Sequence, residues 1–518
     1  YSGARQLLQS NLKFGKLRLQ ASGSYLSSKG ELYDSEFLRA YTNAIYDFGK
    51  VWTGTRISLE DNQQTDKETE ELTGISQKFN SYEVYTGVGD STSVYAEVGY
   101  RYRVNDSLRN GSLERVNTSN NYYLKSRLIN SEKTKLAVFA NFRTLKNELE
   151  DVPDEQSLNS RVQYTQFLFS RIVNLNTLYE TNSGTLPQQE FTYVEVNAGE
   201  GQYTWIDYNE NGVQELEEFE TAAYPDEATY IRVLLPNQIF IRTHQNKFSQ
   251  IVTLNFQQWS NEEKTKKFLS HFYNQTSYLI DRKIERNGDN FDLNPFNETD
   301  DELAVNLNFR NTIFFNRGRQ HYTTSYSYIS TRNKNLLSTG LQENKIESHQ
   351  LNFNHKFQES WLVSLQNKWN QTKSTAENFE NRNYNIDGLT LNPELSYLLS
   401  QNTRFSVFYE FQQQKNQLGD LEELHQNKLG ASFTFTNAQK YSLNGEFNYI
   451  YNEFEGSAFS PVAYQMLQGL QPDKNYTWSL LAQKKITDYL DLNFSYFGRK
   501  SESSNTIHTG TVQLRAYF

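Results

Sequence analysis

The chain contains no cysteine, which excludes disulfide staples, thiolate metal sites and thiol nucleophiles. Its only methionine is Met466 and it opens on Tyr1, so it reads as a processed protein or a piece of a longer one from which any secretion signal has gone. No apolar run approaches the roughly 18 to 20 residues that a spanning helix requires, so helical insertion in a membrane is excluded. The net charge of −10 includes no basic block that could track phosphates, which argues against a nucleic-acid partner. Gly-x-Ser-x-Gly, P-loop and His-Glu-x-x-His signatures are missing, so the chain is not expected to be an enzyme.

Aromatic residues, by contrast, make up 14 % of the 518 positions, although hydrophobic residues total only 36 %. Mean hydropathy is −0.76. Aromatic and β-branched residues favour strands. A membrane β-barrel produces this combination, because half of each strand faces water and the loops are polar.

Alternation supports that reading. Val512, Leu514, Ala516 and Phe518 share one face of the last strand, and Thr511, Gln513, Arg515 and Tyr517 share the other. Phe518 and its apolar companions are expected toward lipid, Arg515 and Tyr517 toward a lumen. Leu303, Val305, Leu307 and Phe309 alternate with Ala304, Asn306, Asn308 and Arg310, and Tyr441, Leu443, Phe447 and Tyr449 oppose Ser442, Asn444, Glu446 and Asn448. A two-sheet sandwich would alternate in the same way. Strand length and loop asymmetry favour the barrel: strands of roughly 9 to 12 residues fit a tilted membrane span.

Short turns are expected at 260–264, 316–318, 358–360, 400–402, 436–439 and 487–488. Long polar connections are expected at 286–300, 374–385, 413–426 and 453–474, giving periplasmic turns opposite extracellular loops. Trp259, Trp361 and Tyr489 lie beside short turns, where an interfacial girdle would sit. Residues 1–245 read as further barrel strands, with a separate soluble β-domain as the alternative, and residues 246–518 as the regular hairpins. The fold class is therefore all-β: a large antiparallel transmembrane barrel of roughly 20 to 26 strands with long extracellular loops.

One segment carries coordination chemistry. Residues 207–218 match the twelve-residue calcium loop at every ligand position. Asp207, Asn209 and Asn211 supply oxygens, Gly212 permits the sharp turn, Val213 offers a carbonyl, Glu215 holds the water-mediated position and Glu218 can bind in bidentate fashion. Gln214 stands where an apolar residue is usual, and residues 191–206 read as strand and turn. The expectation is a structural calcium clip in an extracellular loop, with a solvated acidic loop as the alternative. His349 and His355 share strand parity but lie too far apart to chelate one metal, and His508 suits a lumen or interface position.

The segments Gly201-Gln202-Tyr203-Thr204-Trp205-Ile206-Asp207, Asn209-Glu210-Asn211-Gly212, Glu217-Glu218-Phe219-Glu220, Tyr230-Ile231-Arg232-Val233, 463–472 and Asn475-Tyr476-Thr477-Trp478 resemble the C-terminal barrel region of large, mostly uncharacterised outer-membrane proteins of Bacteroidota. That resemblance implies an outer-membrane barrel and brings no catalytic residues. No plug domain or TonB box is visible, so the chain does not resemble a TonB-dependent nutrient transporter. The expected role is a channel, export conduit or anchor of a surface assembly at the cell surface. Expected partners are outer-membrane lipid and surface lipoproteins or other envelope subunits. The alternative is a secreted all-β binding protein or adhesin.

Overall fold

The period-two pattern is realised as strand along nearly the whole chain. The computed structural model describes residues 2–517 apart from 91, 149–152, 287, 289–290, 319–320, 438–439 and 488; Phe518, expected toward lipid, lies outside them. Twenty-five antiparallel strands join one hydrogen-bonded sheet. Two of these, Tyr203–Trp205 and Phe219–Thr221, are three-residue strands within a connection. The other twenty-three form the wall of a large β-barrel. The ladder between Val173–Glu195 and Tyr230–Asn255 spans residue 245, so the two halves of the chain belong to one sheet.

Which face looks outward is decided by exposure. Along Gln77–Gly89, Glu83 is 3 % exposed, whereas its neighbours Tyr82 and Val84 are 50 % and 55 % exposed. Phe405 and Val407 stand open beside buried Ser406, and Leu395 and Tyr397 beside buried Ser396. A sandwich would bury its apolar faces against one another. Here the apolar face is the outer one, at about 25 cal/mol of unfavourable hydration per Å² if left in water.

The connections alternate between two rims. One rim has tight turns such as residues 15–16, 358–360 and 401–402, and the other carries 196–229, 286–301 and 456–472. The short turn expected at 260–264 is instead a sixteen-residue connection, 256–271, holding the 3-10 turn Gln257–Trp259 and the helix Lys264–Leu269. Trp259 therefore sits within that turn rather than at a strand end. Expected loops at 374–385 and 413–426 contract to 377–383 and 417–422, because the ladders continue past the apolar band into polar hairpins. For the same reason wall strands span 10 to 26 residues, longer than expected.

The first and last wall strands are edges. Ser2–Phe14 pairs with Leu17–Lys29 and Ile507–Ala516 pairs with Leu490–Ser501, and no ladder joins the two edges among the described residues. No helix is long and apolar enough to cross a membrane.

Candidate functional site: an insertion across the lumen

The connection 196–229 folds as a small unit. Tyr203–Trp205 pairs with Phe219–Thr221, and Tyr203 with Tyr230. Phe219, 4 % exposed, stacks on Tyr193 with ring centroids 4.0 Å apart and meets the Tyr230 ring edge-on. Aromatic burial thus anchors an otherwise polar loop on its own hairpin stem.

Its receptor is a short helix, Pro461–Leu467, whose ends are set by sequence. The Ser460 hydroxyl accepts a hydrogen bond from Ala463 N at 3.1 Å, Pro461 occupies the first turn, and Gln468 closes the helix in the left-handed conformation. Val462, Ala463, Met466 and Leu467 bury against Ile386 and Leu424, with Tyr384 and Phe454 alongside. Leu424 pairs with Phe454, and these residues lie on the face opposite exposed Leu429. The helix therefore packs inside the barrel.

The insertion crosses to this helix and to the far wall. Arg382 Nη2 lies 2.7 Å from Glu220 Oε2, and its other Nη donates to the carbonyls of Glu217 and Phe219 at 3.0 and 3.2 Å. Arg499, on the polar face with Thr477 and Asn448, binds Asp226 at 2.7 Å and Glu227 at 2.5 Å. The Tyr464 hydroxyl accepts from Ala223 N and donates to the Thr221 carbonyl. Burial pushes the Glu220 and Glu227 carboxyls above the usual carboxylate range, although Arg382 and Arg499 pull the other way. A cavity of about 300 Å³ remains between insertion and wall, lined by Tyr193, Phe219, Arg232, Gln342 and Gln465.

Deeper in the lumen, Glu83 accepts from Arg56, from Arg101 at 2.6 Å and from the Tyr123 hydroxyl at 2.7 Å. Tyr123 lies flat over Gly99, where a Cβ would come within 2.3 Å of the ring. Arg101 thus points into the lumen, as barrel membership of the early strands requires. On the outer face near the long-loop rim, residues 291–301 fold back on the wall. Arg282, fully buried, binds Asp292 at 2.8 Å and Glu302 at 3.1 Å, and Arg332 also holds Glu302. His349, ringed by Tyr326, Tyr328 and Trp369, lies on the same outer face. His508 stacks on Tyr496, likewise outside.

The calcium-like loop belongs to this insertion, on the rim of long connections, and lies toward the lumen mouth. Asp207 accepts from the backbone of Asn211 and Gly212 at 3.1 and 2.7 Å, and Asn211 Oδ1 accepts from Val213 N at 2.6 Å. Gly212 takes φ 72°, as the turn requires. The Asn209 and Asn211 amides donate to Glu215 at 2.7 and 3.4 Å. Glu218, 2 % exposed, accepts from the Trp205 indole at 2.8 Å. Among the described residues, no three or more His, Asp or Glu side chains are grouped to hold a metal.

Sequence reasoning missed Arg382, Arg499, Asp226 and Glu227, which sit in connections or strands without distinguishing pattern. One signal was present: the segments that carry the resemblance, 201–220 and 463–472, meet here in space.

No protein-family profile and no curated protein sequence matches the chain. Among solved structures, it is similar to the closed form of the ferric-catecholate import receptor Fiu of E. coli, at 7 % identity over 96 % of this chain and 75 % of that one, TM-score 0.32. The FrpB iron transporter of Neisseria meningitidis gives 11 %, 96 %, 77 % and 0.33. BauA, the ferric preacinetobactin receptor of Acinetobacter baumannii, gives 9 %, 99 %, 77 % and 0.34. Identities this low and superpositions this loose give no ground for transferring a ligand or a role.

Proposed function

We propose that this protein is an outer-membrane β-barrel that forms a regulated conduit, its lumen gated by its own insertion 196–229. The carrying observation is the inversion of the wall: apolar Tyr82 and Val84 stand outward while Glu83, Arg56 and Arg101 turn inward. Such a wall suits lipid outside and water inside. Long connections on one rim also leave surface for lipoproteins or other envelope subunits, so the conduit can serve as the anchor of a surface assembly.

Heat-modifiable migration after detergent extraction from outer membranes tests the location. Recovery in the soluble fraction without detergent would overturn it and favour a secreted binding protein. Planar-bilayer recordings test the conduit: deletion of residues 198–228 is expected to raise conductance, and unchanged conductance would leave only an anchor.

A further inference from the structure

We infer that residues 207–218 bind one calcium ion, and that the ion latches the insertion across the lumen. The latch rests on the reading of 196–229 as a gate; ion binding does not.

Spacing alone would leave an acidic turn. The second observation is Glu218. It is 2 % exposed, and its Oε1 is buried with no hydrogen-bond partner. A buried carboxylate oxygen without a partner is unfavourable unless something compensates it. The side chain is folded back on its own loop: its other oxygen takes the Trp205 indole at 2.8 Å and faces Glu215 N at 3.5 Å. Glu218 is also the twelfth position, the one that grips calcium with both oxygens.

The other donors are tied together by hydrogen bonds within one loop, and binding would draw Asp207, Glu215 and Glu218 around the ion. Glu215 sits within hydrogen-bond distance of the Asn209 and Asn211 amides, and Asn211 N contacts Asp207 and Asn209. Carboxylate, amide and carbonyl oxygens without imidazole or thiolate suit a hard cation. Magnesium demands a more rigid octahedron and dehydrates reluctantly, so calcium is the better fit.

The site is continuous with the pins. Glu217 and Phe219, on either side of Glu218, present the carbonyls that hold Arg382, and Glu220 completes the ion pair. Fixing Glu218 on an ion therefore fixes the strand that Arg382 grips.

Terbium titration of the detergent-purified full chain, exciting Trp205 and Tyr208, tests binding. Saturable emission displaced by calcium but not by equal magnesium is expected, lost in Asp207→Ala and weakened in Glu218→Gln, while both variants keep heat-modifiable barrels. No saturable emission in the wild type, or equal emission in both variants, would overturn the site. Hydrogen exchange at residues 203–221 tests the latch separately. Calcium is expected to slow it in the wild type alone, and binding without slowing overturns the latch while leaving the site.

Discussion

Arg382 and Glu220, 162 residues apart in sequence, meet at 2.7 Å where the insertion reaches the opposite wall, and the Glu220 side chain is 1 % exposed. Removing Arg382 leaves the buried Glu220 carboxyl and the carbonyls of Glu217 and Phe219 without their donor, and each buried acceptor left unpaired costs about 1–3 kcal/mol. Arg382→Ala is expected to release the insertion without unfolding the barrel. Limited proteolysis between residues 196 and 229 should accelerate by two or more orders of magnitude, with heat-modifiable migration unchanged. Equal cleavage of wild type and variant would show that the pair does not hold the insertion.

Docking of the insertion should weaken as pH rises. Burial raises Glu220 and Glu227, so the docked state binds protons more tightly than the released state. Stability is then greatest below the ordinary carboxylate value and falls as pH climbs through the raised ones. The outer segment 291–301 has the opposite sign. Burial works against ionised Asp292, but Arg282 and Asn294 N outweigh it and hold its carboxyl below the ordinary value. Its grip is lost as pH falls. Protection factors, with the intrinsic pH dependence of amide exchange divided out, should fall from pH 4 to 8 at residues 203–205 and rise at 292–299. Glu220→Gln should shrink the first trend, leaving the part due to Glu227, and leave the second unchanged.

Met466 offers a chemical reporter, because the chain has no other methionine and no cysteine. It is 1 % exposed, on the buried face of the helix Pro461–Leu467. Thioether oxidation requires access, so peroxide should modify it only as the helix lifts. Leu467→Ala removes core contact at about 2–5 kcal/mol and should speed sulfoxide formation, measured by mass spectrometry. An unchanged rate would mean that the helix opens independently of its core.

Strand parity was readable in the sequence because period two is local: His349 shares a face with Leu351, and Glu446 opposes Phe447, whatever lies further away. Which face meets water was not, since a sandwich and a barrel alternate alike; the exposure of Val84 beside buried Glu83 resolves it. The loop 207–218 was legible from spacing alone. Its pins were not, because Arg499 and Asp226 lie 273 residues apart and neither sits in a patterned segment. The connection 256–271 misled because its polar stretch 260–264 reads as a tight turn, although Trp259 and Phe268 extend ordered structure on either side.

The two edge strands should not pair with each other. Twenty-three antiparallel strands leave Ser2–Phe14 and Ile507–Ala516 running in the same direction, and bacterial outer-membrane barrels of one chain close with even counts. Lipid does not tolerate a row of free backbone groups, so an oppositely directed strand is expected between the edges in the membrane. The cysteine-free chain makes this testable. Cysteines at the directly opposed Leu8 and Gly23 should cross-link under mild oxidation in outer membranes. Cysteine at Leu8 combined with cysteine at Val512 or Leu514 should not. A disulfide in either seam pair would mean that the sheet closes on itself by a parallel ladder.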